Sequence, residues 1–243
     1  MERSKIQVLC EACHSIFSQE ELLTFKQIQC LKKFLDRIEA IDVGIDEFGL
    51  GDSPISSRGL LSAQGFSEIT YIHIHECNSF SMGVFCLPAG KVFPLHDHPE
   101  MTVFTKLLYG SMHVKAYDWI KLDNTAACPT SAAVAGLASC VTDGIMKAPH
   151  ESTVLFPRSG GNIHTFTSLT PCAILDVLSP PYSEDSGRPS TYFSDFPIPS
   201  LPGYAVLEAR PLPDDLIVEG APYLGPPIVE DDNICEFGFR NYA

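Results

Sequence analysis

Positive charge is what this chain has least of. Sixteen lysines and arginines stand against 30 aspartates and glutamates, for a net charge of −14. Such a surface repels phosphate backbones, which excludes nucleic acid as a partner and favours small or positively charged ligands, such as the amino terminus of a peptide. Long apolar runs are missing too. The longest stretch without charge, Asn124 to Thr142, is mostly Ala, Ser, Thr and Gly, too weakly hydrophobic to span a bilayer. The opening residues, Met1-Glu2-Arg3-Ser4-Lys5, lead into an amphipathic segment and not an apolar signal core. There is no internal repeat. The cysteines number nine, an odd count which, without an export signal, reads as reduced thiols. A soluble intracellular chain without a membrane partner is the expectation, and nothing demands more than a monomer. With 243 residues, 45% of them hydrophobic, burying a sizeable core is no obstacle.

Two periodicities divide the chain. Residues 4 to about 41 read as a helical hairpin, with Ser18-Gln19-Glu20-Glu21 as a capping box and Leu22, Phe25, Ile28, Leu31, Leu35 and Ile38 as an apolar stripe. This helical segment, residues 1–45, is expected to pack outside a main domain over 46–243. From about residue 67 the period becomes two, with Ile69, Tyr71, His73 and His75 on one face of Glu68–Glu76. Strand-like runs follow at Phe80–Leu87, Thr102–Leu108, Met112–Trp119, Ser152–Phe156, Ile163–Thr167 and Ala173–Leu178, predicting a mainly β sandwich or small barrel. Residues 123–140 read as a long loop. The tail from Ser179 to Pro227 holds 11 of the 19 prolines, so it is expected to wrap over the barrel mouth without supplying central strands.

The chemistry concentrates at His96-Asp97-His98 and at His164, 66 residues beyond His98. Histidines at i and i+2 of a strand share one face, so His96 and His98 can bind one metal ion, and His164 from a distant strand can complete a three-nitrogen site with open positions. Gly90-Lys91-Val92-Phe93-Pro94-Leu95-His96-Asp97-His98 opens like the first metal motif of cupin barrels, and Gly110 falls where that motif closes. The motif's glutamate is missing: Thr102 and Val103 hold its positions, and Glu100, just past Pro99, is too close to replace it. Imidazole suits several metals, and the open positions favour iron over zinc.

Other candidates read more weakly. His73 and His75 could line the barrel interior, although core or surface roles suit them better; His113 and His150 read as structural. Cys10-Glu11-Ala12-Cys13-His14 matches the haem-attachment pattern by chance, and one CxxC cannot hold zinc alone. If Ser168-Leu169-Thr170-Pro171 is a hairpin turn, Asp176 sits opposite His164. An aspartate in the apolar run Ala173–Leu178 needs a partner, either a bound amine, a metal ligand or backbone amides. Tyr182, after Pro180-Pro181, reads either as a hydroxyl presented at the barrel mouth or as an exposed loop residue.

Leu95-His96-Asp97-His98-Pro99, the segment Thr102–Trp119 and Ile174-Leu175-Asp176-Val177-Leu178-Ser179-Pro180-Pro181-Tyr182 closely resemble plant cysteine oxidases, thiol dioxygenases related to the animal 2-aminoethanethiol dioxygenase. The likeness reaches Gly220-Ala221-Pro222-Tyr223-Leu224-Gly225-Pro226-Pro227, nearly the whole chain. It implies a cupin barrel holding one Fe(II) per chain through His96, His98 and His164. It further implies O2 and a protein's N-terminal cysteine as substrates, with cysteine sulfinic acid as product. Ethylene-response transcription factors are the family's typical substrates, oxygen sensing through the N-degron pathway the consequence, and nucleus and cytoplasm the location. Asp176 and Tyr182 match the family's functionally important aspartate and tyrosine. Two positions depart: the family commonly has Gly where Glu100 stands, and His-Cys where Pro189-Ser190 precedes Thr191-Tyr192. The rival readings are a dioxygenase of small thiols and a non-catalytic metal-binding cupin; a hydrolytic zinc site is more distant.

Overall fold

The computed structural model describes residues 3–18, 22–49, 55–120 and 135–229. Two helices come first, α1 (Lys5–Phe17) and α2 (Phe25–Leu35), then a 3-10 turn at Ala40–Val43. The strands are β1 (Ile45–Asp46), β2 (Leu61–Ser62), β3 (Ile69–Glu76), β4 (Ser81–Leu87), β5 (Val92–His96), β6 (Thr102–Tyr109) and β7 (Ser111–Trp119). They continue as β8 (Ala135–Lys147), β9 (Thr153–Leu155), β10 (Ile163–Ser168), β11 (Cys172–Ser179), β12 (Tyr192–Pro197), β13 (Tyr204–Arg210) and β14 (Val218–Ala221).

A six-stranded sheet, β14-β3-β4-β11-β6-β9, faces a closed ring, β10-β5-β12-β13-β8-β7. The expected mainly β, cupin-type barrel with helices outside is what forms. Alternation along β11 explains how the layers assemble. Cys172 and Ile174 point inward to a cluster with Leu87, Met112, Val114 and Phe166, while Ala173, Leu175 and Val177 point outward. The outward set packs with Met82, Val84 and Phe104 against Ile6, Leu9, Ile16, Leu31 and Leu35 of the helices. Asp176 is in phase with Ile174 and so faces inward.

Several expectations need correcting. Ser18 ends α1 and does not begin the second helix, and residues 19–21 of the supposed box lie outside the described residues. The capping box of α2 is Thr24 with Gln27: Gln27 N donates to Thr24 Oγ1 at 3.3 Å, and Thr24 N to Gln27 Oε1 at 2.8 Å. Residues 135–140 belong to β8, because their small side chains pair with β7 and β13; the part of the expected loop at 123–134 lies outside the described residues. The tail supplies β12 and β13, which close the ring between β5 and β8. Its prolines fall at strand ends and turns, where no ladder amide is required.

The face shared by Ile69, Tyr71, His73 and His75 is also broken. A bulge lies between His73 and His75, which changes the phase and puts His75 on the helix-facing side opposite Met82. Finally, β10 and β11 do not pair. The segment between them crosses from ring to sheet, so Asp176 lies opposite Gly83 of β4 and Thr105 of β6, not opposite His164.

Candidate active site

Strand register brings the histidines together. His96 ends β5 and pairs with His164 of β10 on one side and with Tyr192 of β12 on the other. The three imidazoles of His96, His98 and His164 have ring centroids 4.7 to 4.9 Å apart. Their donor atoms lie within 4.8 Å of one another, and all three residues are buried.

Backbone carbonyls fix their orientation. Nδ1 of His96 sits 2.8 Å from the Pro94 carbonyl, that of His98 2.9 Å from the Asn162 carbonyl, and that of His164 3.2 Å from the Gly161 carbonyl. A carbonyl only accepts, so each Nδ1 carries the proton and each Nε2 presents a lone pair. Burial, together with mutual repulsion at His98 and His164, keeps the rings neutral: His96 falls to about 4, His98 to about 3, and His164 well below its ordinary value. Three neutral nitrogens with fixed tautomers are a donor set that fits a divalent transition metal.

Side chains other than the histidines tie together the segments that carry His98 and His164. Asn162 Oδ1 accepts from His98 N at 3.0 Å, while Asn162 Nδ2 donates to His98 O at 2.8 Å. Asp118 on β7 accepts from Gly161 N at 2.9 Å and from Asn162 N at 3.0 Å. Gly161 has a φ of +86°, and a Cβ there would meet the Ala116 Cβ at 2.7 Å, so only glycine fits this turn. Asp97 points away from the imidazoles into the tail: its carboxylate accepts from Thr191 N at 2.8 Å, and its carbonyl accepts from the Tyr182 hydroxyl at 2.7 Å. The sequence marks these contacts only by single polar residues, Asp97, Asp118 and Asn162, at no diagnostic spacing.

The histidines open onto a cavity of about 230 Å³ between sheet and ring, walled by Phe85, Phe93, Phe166 and Ile174. Asp176 and Tyr182 also line it. Asp176 accepts from the Thr105 hydroxyl at 2.6 Å. Burial raises its carboxyl to about 6 against the single lowering effect of Thr105. Asp176 is partly accessible, and its side chain lines this cavity. Across from it, Tyr71 lies over Gly83, where a Cβ would meet the ring at 2.4 Å. Tyr182 stands 5.7 Å from the His98 ring, and burial raises its phenol far above the ordinary value. Its hydroxyl is anchored on Asp97 and is neither exposed nor loose. Ser190, where the resembling family commonly has cysteine, is half-buried beside Tyr182 in the same lining, with its hydroxyl oxygen buried. Glu100 is exposed, with a φ of +61°, so its carboxylate stays out of the cavity. Among the other histidines, His113 bonds Asp143 across β7 and β8, and His150 bonds the Glu151 carbonyl.

The fold and this donor set define a cupin-type barrel whose three histidines form a site that fits one divalent transition metal. The PCO_ADO family profile matches residues 34–228, and the chain belongs to that family. It is 38% identical to Arabidopsis thaliana plant cysteine oxidase 2, over 93% of this chain and 83% of that protein. It is 31% identical to mouse 2-aminoethanethiol dioxygenase, over 84% of this chain and 86% of that one. These relatives place it among thiol dioxygenases. Solved structures similar to it include an RmlC-like cupin from Desulfovibrio desulfuricans, at 19% identity and a TM-score of 0.32, covering 47% of this chain and 84% of that one.

Proposed function

We propose that this chain is a cysteine oxidase: a monomeric Fe(II) enzyme, one iron per chain, that converts the N-terminal cysteine of proteins to cysteine sulfinic acid with O2. The observation that carries the reading is the composition of the cavity. Among its described lining residues, Asp176 is the only charged side chain beside three neutral imidazoles, and no lysine or arginine is present. An ammonium is therefore welcome and a free carboxylate has no counter-charge. Free cysteine carries both groups, whereas an N-terminal cysteine carries only the ammonium. A more open groove shares Tyr182, Ser190 and Tyr192 with the cavity and continues outward past Pro189 and Arg210, which suits the chain that follows the cysteine.

The reaction is R–SH + O2 → R–SO2H, in which sulfur loses four electrons and dioxygen gains them. Bound iron supplies the centre at which thiolate and dioxygen meet. His96, His98 and His164 would hold it, with tautomers already set by Pro94, Asn162 and Gly161. Asp176 orients the substrate by accepting a hydrogen bond from its α-amino group. Tyr182, held by Asp97, shapes the mouth beside His98, while Phe85, Phe93 and Phe166 keep water from the reacting atoms. Ethylene-response transcription factors in nucleus and cytoplasm are the proposed substrates, and arginylation of the oxidised terminus would couple oxygen supply to their degradation through the N-degron pathway.

The test is mass spectrometry of a Cys-initiated peptide incubated with iron-loaded protein under labelled dioxygen. Gain of both labelled oxygens, absent when the peptide is N-acetylated, is expected. Gain on 2-aminoethanethiol but not on the peptide would move the substrate to small aminothiols, a reading the same cavity charge allows. Iron bound without oxygen incorporation anywhere would leave a binding module.

A further inference from the structure

Two groups of potential ligands among the described residues bring three donor atoms within 4.8 Å of one another. One is the active-site histidine set; the other is Cys10, His14 and His75. The second group lies on the opposite face of the six-stranded sheet, under α1. Cys10 and His14 are one helical turn apart and so present their donors on one side of the helix. His75 meets them because the bulge in β3 turns it away from the cavity and toward the helices. The rings of His14 and His75 are 5.1 Å apart, and both pack on Phe80, at 4.9 and 5.2 Å. Cys10 and His75 are buried, whereas His14 is half-buried.

We propose that Cys10, His14 and His75 form a second metal site, specific for zinc-like ions, that clamps α1 to β3. One thiolate and two imidazoles suit zinc and disfavour the hard cations magnesium and calcium. Zinc bonds of roughly 2.0 Å to nitrogen and 2.3 Å to sulfur bring donors to about 3.5 Å, a contraction that side-chain rotation can supply. The Cys10 proton leaves as the metal binds. Half-exposed His14 provides the entry path and leaves a fourth position for water. The ligands are not the CxxC pair that the sequence displays, since buried Cys13 is outside the set; the third ligand comes from a strand 61 residues beyond His14. The site is independent of the oxidase reading and stands or falls separately from it.

Cobalt(II) distinguishes the two sites, because only the second has a sulfur ligand. Anaerobic titration of the metal-stripped full-length chain should bind about two equivalents and develop a thiolate-to-cobalt charge-transfer band in the near ultraviolet. The band should survive in His96→Ala, and vanish in both Cys10→Ser and His14→Gln with loss of about one equivalent. Zinc should raise the unfolding temperature of wild type and not of those two variants beyond the effect of the histidine site. Circular dichroism of the metal-free variants checks their fold; should Cys10→Ser fail to fold, His14→Gln decides. No band in wild type, or a band that persists in His14→Gln, overturns the proposal.

Discussion

Replacing Asp176 by asparagine should make the protein more stable and less active at once. The carboxyl is raised from 3.8 to about 6, with burial as the first cause. A group whose folded pKa lies above its unfolded value binds more protons in the folded state between the two. The folded protein is therefore favoured at low pH, and that advantage is lost as pH rises from about 4 through about 6. The displacement corresponds to ~3 kcal/mol above this window as an upper bound, and the partial accessibility of Asp176 reduces it to ~1–3 kcal/mol. Asp176→Asn removes the ionisation while keeping an oxygen for the Thr105 hydroxyl. In urea denaturation of metal-stripped protein, the variant should exceed wild type by that amount at pH 8 and by much less at pH 4. Turnover of a Cys-initiated peptide should fall by ~10–100-fold, the worth of one charge-assisted hydrogen bond, with iron content unchanged. A variant less stable than wild type at pH 8, or a stability difference that ignores pH, would refute the claim that Asp176 is held at a cost for its function. Undiminished turnover would remove it from the mechanism.

Three further substitutions probe the shell around this cavity. His164→Ala should lower iron content at the active site by at least ~10-fold and abolish oxygen uptake, as read by metal analysis and an oxygen electrode. Asn162→Ala removes the paired bonds that tie His98 to the neighbouring loop; it should cost ~2–4 kcal/mol in denaturant unfolding and weaken iron binding ~10–100-fold. Glu100→Gly relieves a residue at a φ of +61° and should gain ~0.5–1 kcal/mol in thermal unfolding with kcat/KM unchanged. A drop in kcat/KM would show that the carboxylate acts on the site after all.

Where local pattern determines the outcome, the sequence is readable. The runs Thr102–Leu108, Met112–Trp119 and Ala173–Leu178 match β6, β7 and β11 within a residue or two, because β7 alternates over one buried face while β6 and β11, buried on both faces, read as short runs bounded by turn residues. Pairing between distant strands was not readable. A hairpin after Ser168 would place Asp176 beside His164, but that hairpin does not form, and Asp176 reaches the cavity from the opposite layer instead. The tail misled for a related reason. Pro189, Pro199, Pro202, Pro211 and Pro213 stand between strands and Pro197 ends one, so a high proline count over the whole segment conceals three short runs free to pair, β12, β13 and β14.

The active site divides along the same line. The spacing of His96 and His98 announced a metal, since two residues of one strand need only the pleat to bring them together. What fits those rings to serve as ligands is the set of acceptors at Nδ1, and all three are main-chain carbonyls, of Pro94, Asn162 and Gly161. Main-chain carbonyls carry no residue signature. They are aimed by the turn at Gly161, by Asn162 bonding His98 at both its amide and its carbonyl, and by Asp118 bonding the amides of Gly161 and Asn162. Removing the Asp118 carboxylate, which touches no imidazole, should therefore loosen two ligands at once, whereas a substitution at exposed Glu100, two residues from His98 in sequence, should loosen none.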